Sequence, residues 1–331
     1  MFKNNCNLAA ENDSWSKNHN NLKPNIRHMK ARTSKRLIGM ALLALIAASA
    51  MAQDRVSKIR ERLLNRDMST VIVAAHRGDW RNFPENSLEA LESAIEMGVD
   101  IVELDVQRTK DGKLILMHDD RLNRTTNGGG VIADTTWAYI STLRLKNGCD
   151  ITTKHKVPTL EDALLLAKGR VMLNLDKADR YFDEIYPLLQ RTGTTKQVIM
   201  KGGRRAEAVQ KEFGQYLSEV VYMPIVNLDE DGAEQRIETF VEKLQPAAFE
   251  LIYAQEDNTL PLKMGKTLQG RSLIWYNTLW DTLCGGHDDD AALHDMSNGY
   301  DYVIDQLGAR IIQTDRPQFL LNYLRGRGLH D

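Results

Sequence analysis

The sequence predicts an α/β protein, a closed parallel (β/α)8 barrel with a β-hairpin and an insertion after its second strand. Three observations carry this. Eight short, near-continuous apolar runs (71–75, 101–105, 171–175, 198–201, 220–223, 247–251, 272–275 and 310–313) alternate with segments of helical periodicity. Capping residues stand where one pattern gives way to the other. The residues behind a leader, 53–331, are about the length a barrel of this kind needs. Doubly wound sheets share the alternation, so the length and the capping pattern are read together with it.

Taken in order, the chain begins with polar, Asn-rich residues 1–28. Met29 then opens a basic stretch (Lys30, Arg32, Lys35, Arg36), an apolar run from Leu37 to Ala48, and Ala50-Met51-Ala52. That sequence of features is a secretory signal peptide over 29–52, cleaved before Gln53. Its apolar run is shorter than the roughly 20 residues a bilayer span requires, so no stable membrane anchor is expected after cleavage. The expected location is periplasmic or secreted. A charged lead helix follows at about 55–65. Asn86-Ser-Leu-Glu89 reads as an N-cap with its capping-box acid, and Gly98 as the matching C-cap. Thr159-Leu-Glu-Asp162 opens another helix, and Pro317 suits the first turn of the last one. Residues from about 119 to 158, including Asn127-Gly-Gly-Gly130, break the repeat and read as an insertion or lid beside the site.

Composition narrows the function. Residues 53–331 hold 35 of the 43 basic residues and 43 of the 45 acidic ones, a net charge of −8. No electrostatic attraction to nucleic acid or to an anionic membrane follows from that balance. Cys149 and Cys284 remain after cleavage, and no close Cys/His set suggests zinc.

The chemistry gathers between Ala74 and Asp119. His76-Arg77-Gly78 follows the first strand, at the rim where barrels carry their catalytic groups. Glu103 and Asp105 lie two apart on the second strand and so share a face; their apolar flanks turn that face inward. Two enclosed carboxylates repel unless a cation lies between them. Asp111-Gly112 signals a two-residue turn with Lys110 paired to Lys113, a register that puts His118 opposite Asp105. The residues alone therefore point to a metal-assisted or acid–base site.

The blocks AAHRG, PENS and ELDVQRTKDGKLILMHD resemble the signature of the glycerophosphodiester phosphodiesterases, with weaker echoes at VPTLEDAL, VMLNLD, IWYN and IIQTDRP. The resemblance implies a TIM barrel that takes a small-molecule glycerophosphodiester and one divalent cation, Ca2+ or Mg2+. Carried over, it makes His76 and His118 the general acid and base, Arg77 the phosphate-binding cation, and Glu103, Asp105 and Asp176 the metal ligands. Glu85 is expected near the rim, as a supporting acid or as charge at a helix N-terminus. The chain departs from the family pattern after Asp176, where Ala178 stands in place of a lysine. Lys177 would face away from Asp176 in a regular strand, which leaves Lys201 as the candidate replacement. Glu250 is a possible further ligand, and Trp275 and Asn277 are expected to shape the pocket. Two other readings stay open: a metal-free phosphodiester lyase on a similar barrel, and a non-catalytic barrel that holds a phosphorylated head group.

Overall fold

The computed structural model describes residues 55–331; the expected signal peptide and the segment before it lie outside them. Helix α1 (residues 55–64) leads into β1 (Ile72–Ala75), α2 (Leu88–Met97), β2 (Ile101–Arg108) and β3 (Leu114–Leu116). The insertion supplies α3 (Trp137–Ile140), β4 (Arg144–Lys146) and β5 (Thr152–Lys156). Regular alternation then resumes with α4 (Leu160–Ala167), β6 (Met172–Asp176), α5 (Phe182–Thr192), β7 (Val198–Gly202), α6 (Ala206–Phe213) and β8 (Val221–Asn227). It ends with α7 (Ala233–Lys243), β9 (Ala248–Ile252), α8 (Leu260–Thr267), β10 (Leu273–Asn277), α9 (Asp289–His294), β11 (Ile311–Thr314) and α10 (Pro317–Gly326).

Among the described residues eight parallel strands run in the order β1-β11-β10-β9-β8-β7-β6-β2, and β1 pairing with β2 closes the ring. This is the (β/α)8 barrel the alternation predicts. Two strands outrun their apolar segments for a local reason. The far end of β2 pairs with β3, and Ile225–Asn227 of β8 pair with Glu250–Ile252 of β9.

Two cores follow from the period-2 alternation of each strand. Outward residues pack under the helices in one large cluster. Inward residues such as Ile72, Ile101, Met172, Ile199, Leu273 and Ile311 fill the barrel, and Val56, Ile59 and Leu63 of α1 plug its N-terminal end. Burying a side chain of this size is worth about 1.5–3 kcal/mol, so the expected lead helix α1 is also an integral floor of the barrel. The insertion has its own small core, built from Ile115, Leu122, Ile132, Ile140, Leu143 and Leu145 among others. It is a folded cap rather than a loose lid.

Helix ends mostly follow the local chemistry. Thr159 and Asp162 form the expected capping box, Gly98 ends α2 in the left-handed conformation, and Pro317 opens α10. At α2 the cap is Ser87, whose side chain accepts from Ala90 N–H, and not Asn86. Asn86 adopts φ +59° and commits its side chain elsewhere, to Asp105. Gly78 is obligatory for closeness: at φ +76°, a Cβ there would sit 2.7 Å from the backbone of Ala90, so only glycine lets the loop after β1 rest on α2. Cys149 is an exposed free thiol and Cys284 a buried one.

Candidate active site

The barrel gathers the charged side chains in tiers at the C-terminal ends of its strands. Parallel register sets Glu103 beside Asn174 and Asp105 beside Asp176. Glu103, Asp105 and Asp176 each offer an oxygen within 4.8 Å of the others'. Glu103 and Asp105 are 1% exposed. Burial drives the Glu103 carboxyl well above its usual pKa, and the neighbouring Asp105 and Asp176 charges add to this. Asp105 goes the other way: burial would raise it, but Lys177, Arg77 and a hydrogen bond from Asn86 together hold it low. Asp105 takes both ends of the Asn86 amide, whose Nδ2 donates to Asp105 Oδ2 and whose Oδ1 accepts from Asp105 N–H, both at 2.9 Å. A divalent cation among the three oxygens would relieve the conflict at Glu103, so this donor set fits a hard cation.

His76 and Arg77 leave β1 toward this cluster. His76 Nδ1 lies 2.7 Å from Asp315 Oδ1, and its Nε2 lies 4.0 Å from Glu103 Oε2. Burial lowers the pKa of the imidazole despite the Asp315 carboxylate, which favours a neutral ring. Arg77 sits at φ +53°, an uncommon conformation for a residue with a side chain. In it the backbone N–H donates to Glu103 Oε2 at 3.0 Å, while the guanidinium donates to Glu85 at 3.1 Å and approaches Asp105 at 3.5 Å. Its buried Nε has no hydrogen-bond partner among the described residues.

Glu85 is a bridge. It accepts from Arg77 and, on both oxygens, from Arg124 at 2.8 Å; Arg124 in turn grips Asp119. The Arg124 guanidinium holds the Asp119 carboxyl far below its usual range, and Asp119 accepts from His118 Nδ1 at 2.7 Å.

His118 arrives by a different register from the one expected. The loop closes on Thr109 and Lys113, not on Lys110 and Lys113: Thr109 N–H donates to Lys113 O at 3.0 Å, and Gly112 takes φ +82°. Thr109 Oγ1 donates to Asp111 and accepts from Lys113 N–H, stabilising a three-residue loop. The ladder is therefore Val106–Leu116, and Met117, not His118, stands opposite Asp105 and donates to its carbonyl. A one-residue slip exchanges faces, so His118 owes its place to what holds it beyond the ladder. Its carbonyl accepts from Lys177 Nζ at 2.6 Å, and Asp119 fixes its ring.

Lys177 also corrects an expectation. It does not face away from the site, because it lies past the end of β6 at φ +58° rather than in extended strand. Its ammonium reaches Asp105 at 3.1 Å. Lys201, 4% exposed, lies 3.9 Å from Asp176 and 3.2 Å from Glu250. Burial opposes its charge, but Asp176, Glu250 and Glu103 outweigh this and raise its pKa. Two lysines thus stand where one was sought. Glu250 pairs with Lys201 and accepts from Asn277 Nδ2 at 2.8 Å; it lies outside the three-carboxylate cluster. Asn277 accepts in turn from Trp275 Nε1 at 2.8 Å. Trp275 is fully buried among the inward barrel residues, so it forms the floor beneath the site and not a pocket wall.

A cleft of about 480 Å3 opens beside His76 and Arg77. Its walls include His76, Arg77, Glu85, Arg124 and Asp315, together with Trp80, Trp280 and the insertion residues Lys146, Asn147, Gly148 and Asp150. Asp315 was missed in the sequence, although a signal existed. In a closed barrel the first and last strands are neighbours, here with Ala75 beside Thr314, so the residues after each must meet. Trp80 Nε1 donates to the same Asp315 oxygen at 2.6 Å.

Comparison with known proteins agrees with this geometry. Residues 76–184 match the Glycerophosphoryl diester phosphodiesterase family, and residues 222–324 match a domain of unknown function. Over 113 residues the chain is 43% identical to a glycerophosphodiester phosphodiesterase of Caldanaerobacter subterraneus, covering 33% of this chain and 45% of that protein. The chain spans about half the length of the curated relatives it matches. A glycerophosphoryl diester phosphodiesterase structure from Parabacteroides distasonis superposes with TM-score 0.64 at 24% identity, covering 82% of this chain and 92% of the other. An Oleispira antarctica phosphodiesterase in complex with the product sn-glycerol-3-phosphate superposes with TM-score 0.58 at 20% identity, covering 77% and 97%. The family match begins at His76 and runs through Arg77, the three clustered carboxylates and His118, so the part of the chain that carries these residues, 76–184, is similar to the Glycerophosphoryl diester phosphodiesterase family.

Proposed function

We propose that the protein hydrolyses glycerophosphodiesters to an alcohol and sn-glycerol 3-phosphate, with one divalent cation, Ca2+ or Mg2+, held by Glu103, Asp105 and Asp176. The observation that carries this is the meeting of those three carboxylates with His76 and Arg77, the two of these residues that line the cleft. A barrel of the same fold holding sn-glycerol 3-phosphate agrees with it. The bound cation would neutralise phosphoryl oxygens that otherwise repel a nucleophile.

This chain's own residues do the rest. Arg77, tethered by Glu85 and lining the cleft, binds a phosphate oxygen. With Nδ1–H directed at Asp315, His76 presents the lone pair of Nε2 and takes the proton from the attacking oxygen. His118, oriented by Asp119, returns a proton to the leaving alkoxide. The insertion residues and the two tryptophans close over the alcohol portion. We also propose that residues 29–52 direct export and that the working protein begins at Gln53; N-terminal sequencing of protein recovered from outside the cytoplasm tests this.

The deciding assay offers a panel of glycerophosphodiesters to the protein with and without chelator, then restores Ca2+ or Mg2+. Release of alcohol and sn-glycerol 3-phosphate that the chelator abolishes and the metal restores supports the reading. Turnover indifferent to chelator would instead favour the metal-free lyase, and tight binding without turnover the head-group-binding barrel.

A further inference from the structure

Asp289, the first residue of α9, is 1% exposed and does not line the cleft. Its Oδ1 accepts from Thr278 Oγ1 at 2.7 Å, Tyr300 OH at 2.8 Å and Thr314 Oγ1 at 2.8 Å. Its Oδ2 accepts from the backbone N–H of Asp315 at 2.7 Å and from Thr314 Oγ1 at 2.9 Å. Every donor is neutral, and among the described residues no cationic side chain pairs with it. Burying a carboxylate without a cation is costly, and it is tolerated only where the hydrogen bonds are complete. Here burial lifts the carboxyl to about 6 in spite of its donors.

Helix capping does not explain the cost. Asp288 already caps α9, accepting from Asp290 and Ala291 N–H. What Asp289 holds instead is the end of β11. An ionised carboxylate only accepts, so Thr278, Tyr300 and Thr314 must all turn their hydroxyl protons toward it. Thr314 and Asp315 are also the two residues that hold His76. The Thr314 carbonyl accepts from His76 N–H at 3.2 Å, and the Asp315 carboxylate takes Nδ1.

The geometry points to Asp289 as a positioning residue, one that fixes the Thr314–Asp315 segment so that Asp315 keeps the Nδ1 proton of His76 and leaves Nε2 for the substrate. This rests on the reading of His76 as a proton carrier. Asp289→Asn, nearly identical in shape, replaces an acceptor oxygen with a donor facing Asp315 N–H or the hydroxyls.

The test measures kcat, KM and the NMR resonance of the His76 Nδ1 proton in the full chain with labelled histidine, assigned by its loss in His76→Gln. In Asp289→Asn we expect kcat to fall about tenfold or more, KM to stay within about twofold, and the resonance to move or broaden. Tyr300→Phe, which removes one donor and keeps the charge, should shift both readouts the same way by less. A folded Asp289→Asn with wild-type kcat and an unmoved resonance overturns the proposal. So does lost activity with an unmoved resonance, since that is a structural effect only. If Asp289→Asn does not fold, Tyr300→Phe decides: both readouts unchanged overturns the proposal. If the wild-type protein turns over no phosphodiester, the proposed function fails, and the resonance alone still tests the positioning.

Discussion

The barrel carries a histidine–carboxylate pair at each end, and the two behave in opposite ways. At the C-terminal rim His76 meets Asp315 at 2.7 Å; at the floor His330 meets Asp100 at 3.0 Å. Both side chains are shielded, 9% and 5% exposed. Yet burial lowers the pKa of His76, while at His330 the bond to Asp100 overcomes burial and raises it. The acceptors explain the difference. Both ring nitrogens of His330 have one, Asp100 on Nε2 and the Asp331 carbonyl on Nδ1, an arrangement only the imidazolium satisfies fully. At His76, among the described residues, only Nδ1 has one within hydrogen-bonding distance, and that acceptor is shared with Trp80. Leaving one nitrogen uncommitted creates a proton acceptor, whereas satisfying both creates a cross-link. Asp100 completes that cross-link by accepting from Val73 N–H at 2.9 Å and lying 3.6 Å from Arg62.

The sharpest way to break this contrast is to remove each histidine. His76→Ala should lower kcat/KM by about 10²–10⁴-fold with little change in Tm, and His330→Ala should leave kcat/KM within about twofold. Equal losses in a phosphodiester assay would erase the distinction. The charge network at the rim gives the next largest effect. Lys201→Met strands the buried Glu250 and the neighbouring Asp176, and should cost about 3–5 kcal/mol in a denaturant melt. Part of that loss should return on adding a divalent cation, since positive charge is what the cluster lacks. No return would argue against a cation bound at these carboxylates.

The smallest effect belongs to the floor and has a definite sign. A raised histidine pKa contributes stability that is fully present below the unfolded value, about 6.5, and is lost as pH rises through the folded value. His330→Gln should therefore cost about 1 kcal/mol at pH 5.5, after allowance for solvent screening. The cost should shrink toward zero by pH 9. Thermal melts of both proteins across that range test it; a deficit that grows with pH would reverse the assignment.

The same two ends show how far the sequence could be read. Glu103 and Asp105 were legible as a pair because strand periodicity is local and fixed. The hairpin register was not. Asp111-Gly112 signals a turn without fixing its length, and the Thr109 side chain decided for a three-residue loop, moving Met117 into the position expected for His118. Lys177 was misread because the rule of alternating faces holds only inside a strand, and the strand had already ended. Trp275 was placed in the pocket on its nearness to a strand end, where the inward face leads to the barrel floor instead. Asp315 and Asp289 needed the closed ring to be found at all.

By itself, then, the sequence determined the alternation of strands and helices, most of the helix ends, and the blocks that carry His76, Arg77, Glu103 and Asp105. These depend on periodicity and on bonds between residues a few positions apart. Only the tertiary structure decided which charges meet: Asp315 with His76 across 239 positions, Lys177 with Asp105, and Lys201 with Glu250. Those contacts depend on barrel closure and on left-handed turns at Arg77, Asn86 and Lys177. Asparagine tolerates that conformation, but at Arg77 and Lys177 it is unfavourable locally and holds only because the assembled site over-determines it.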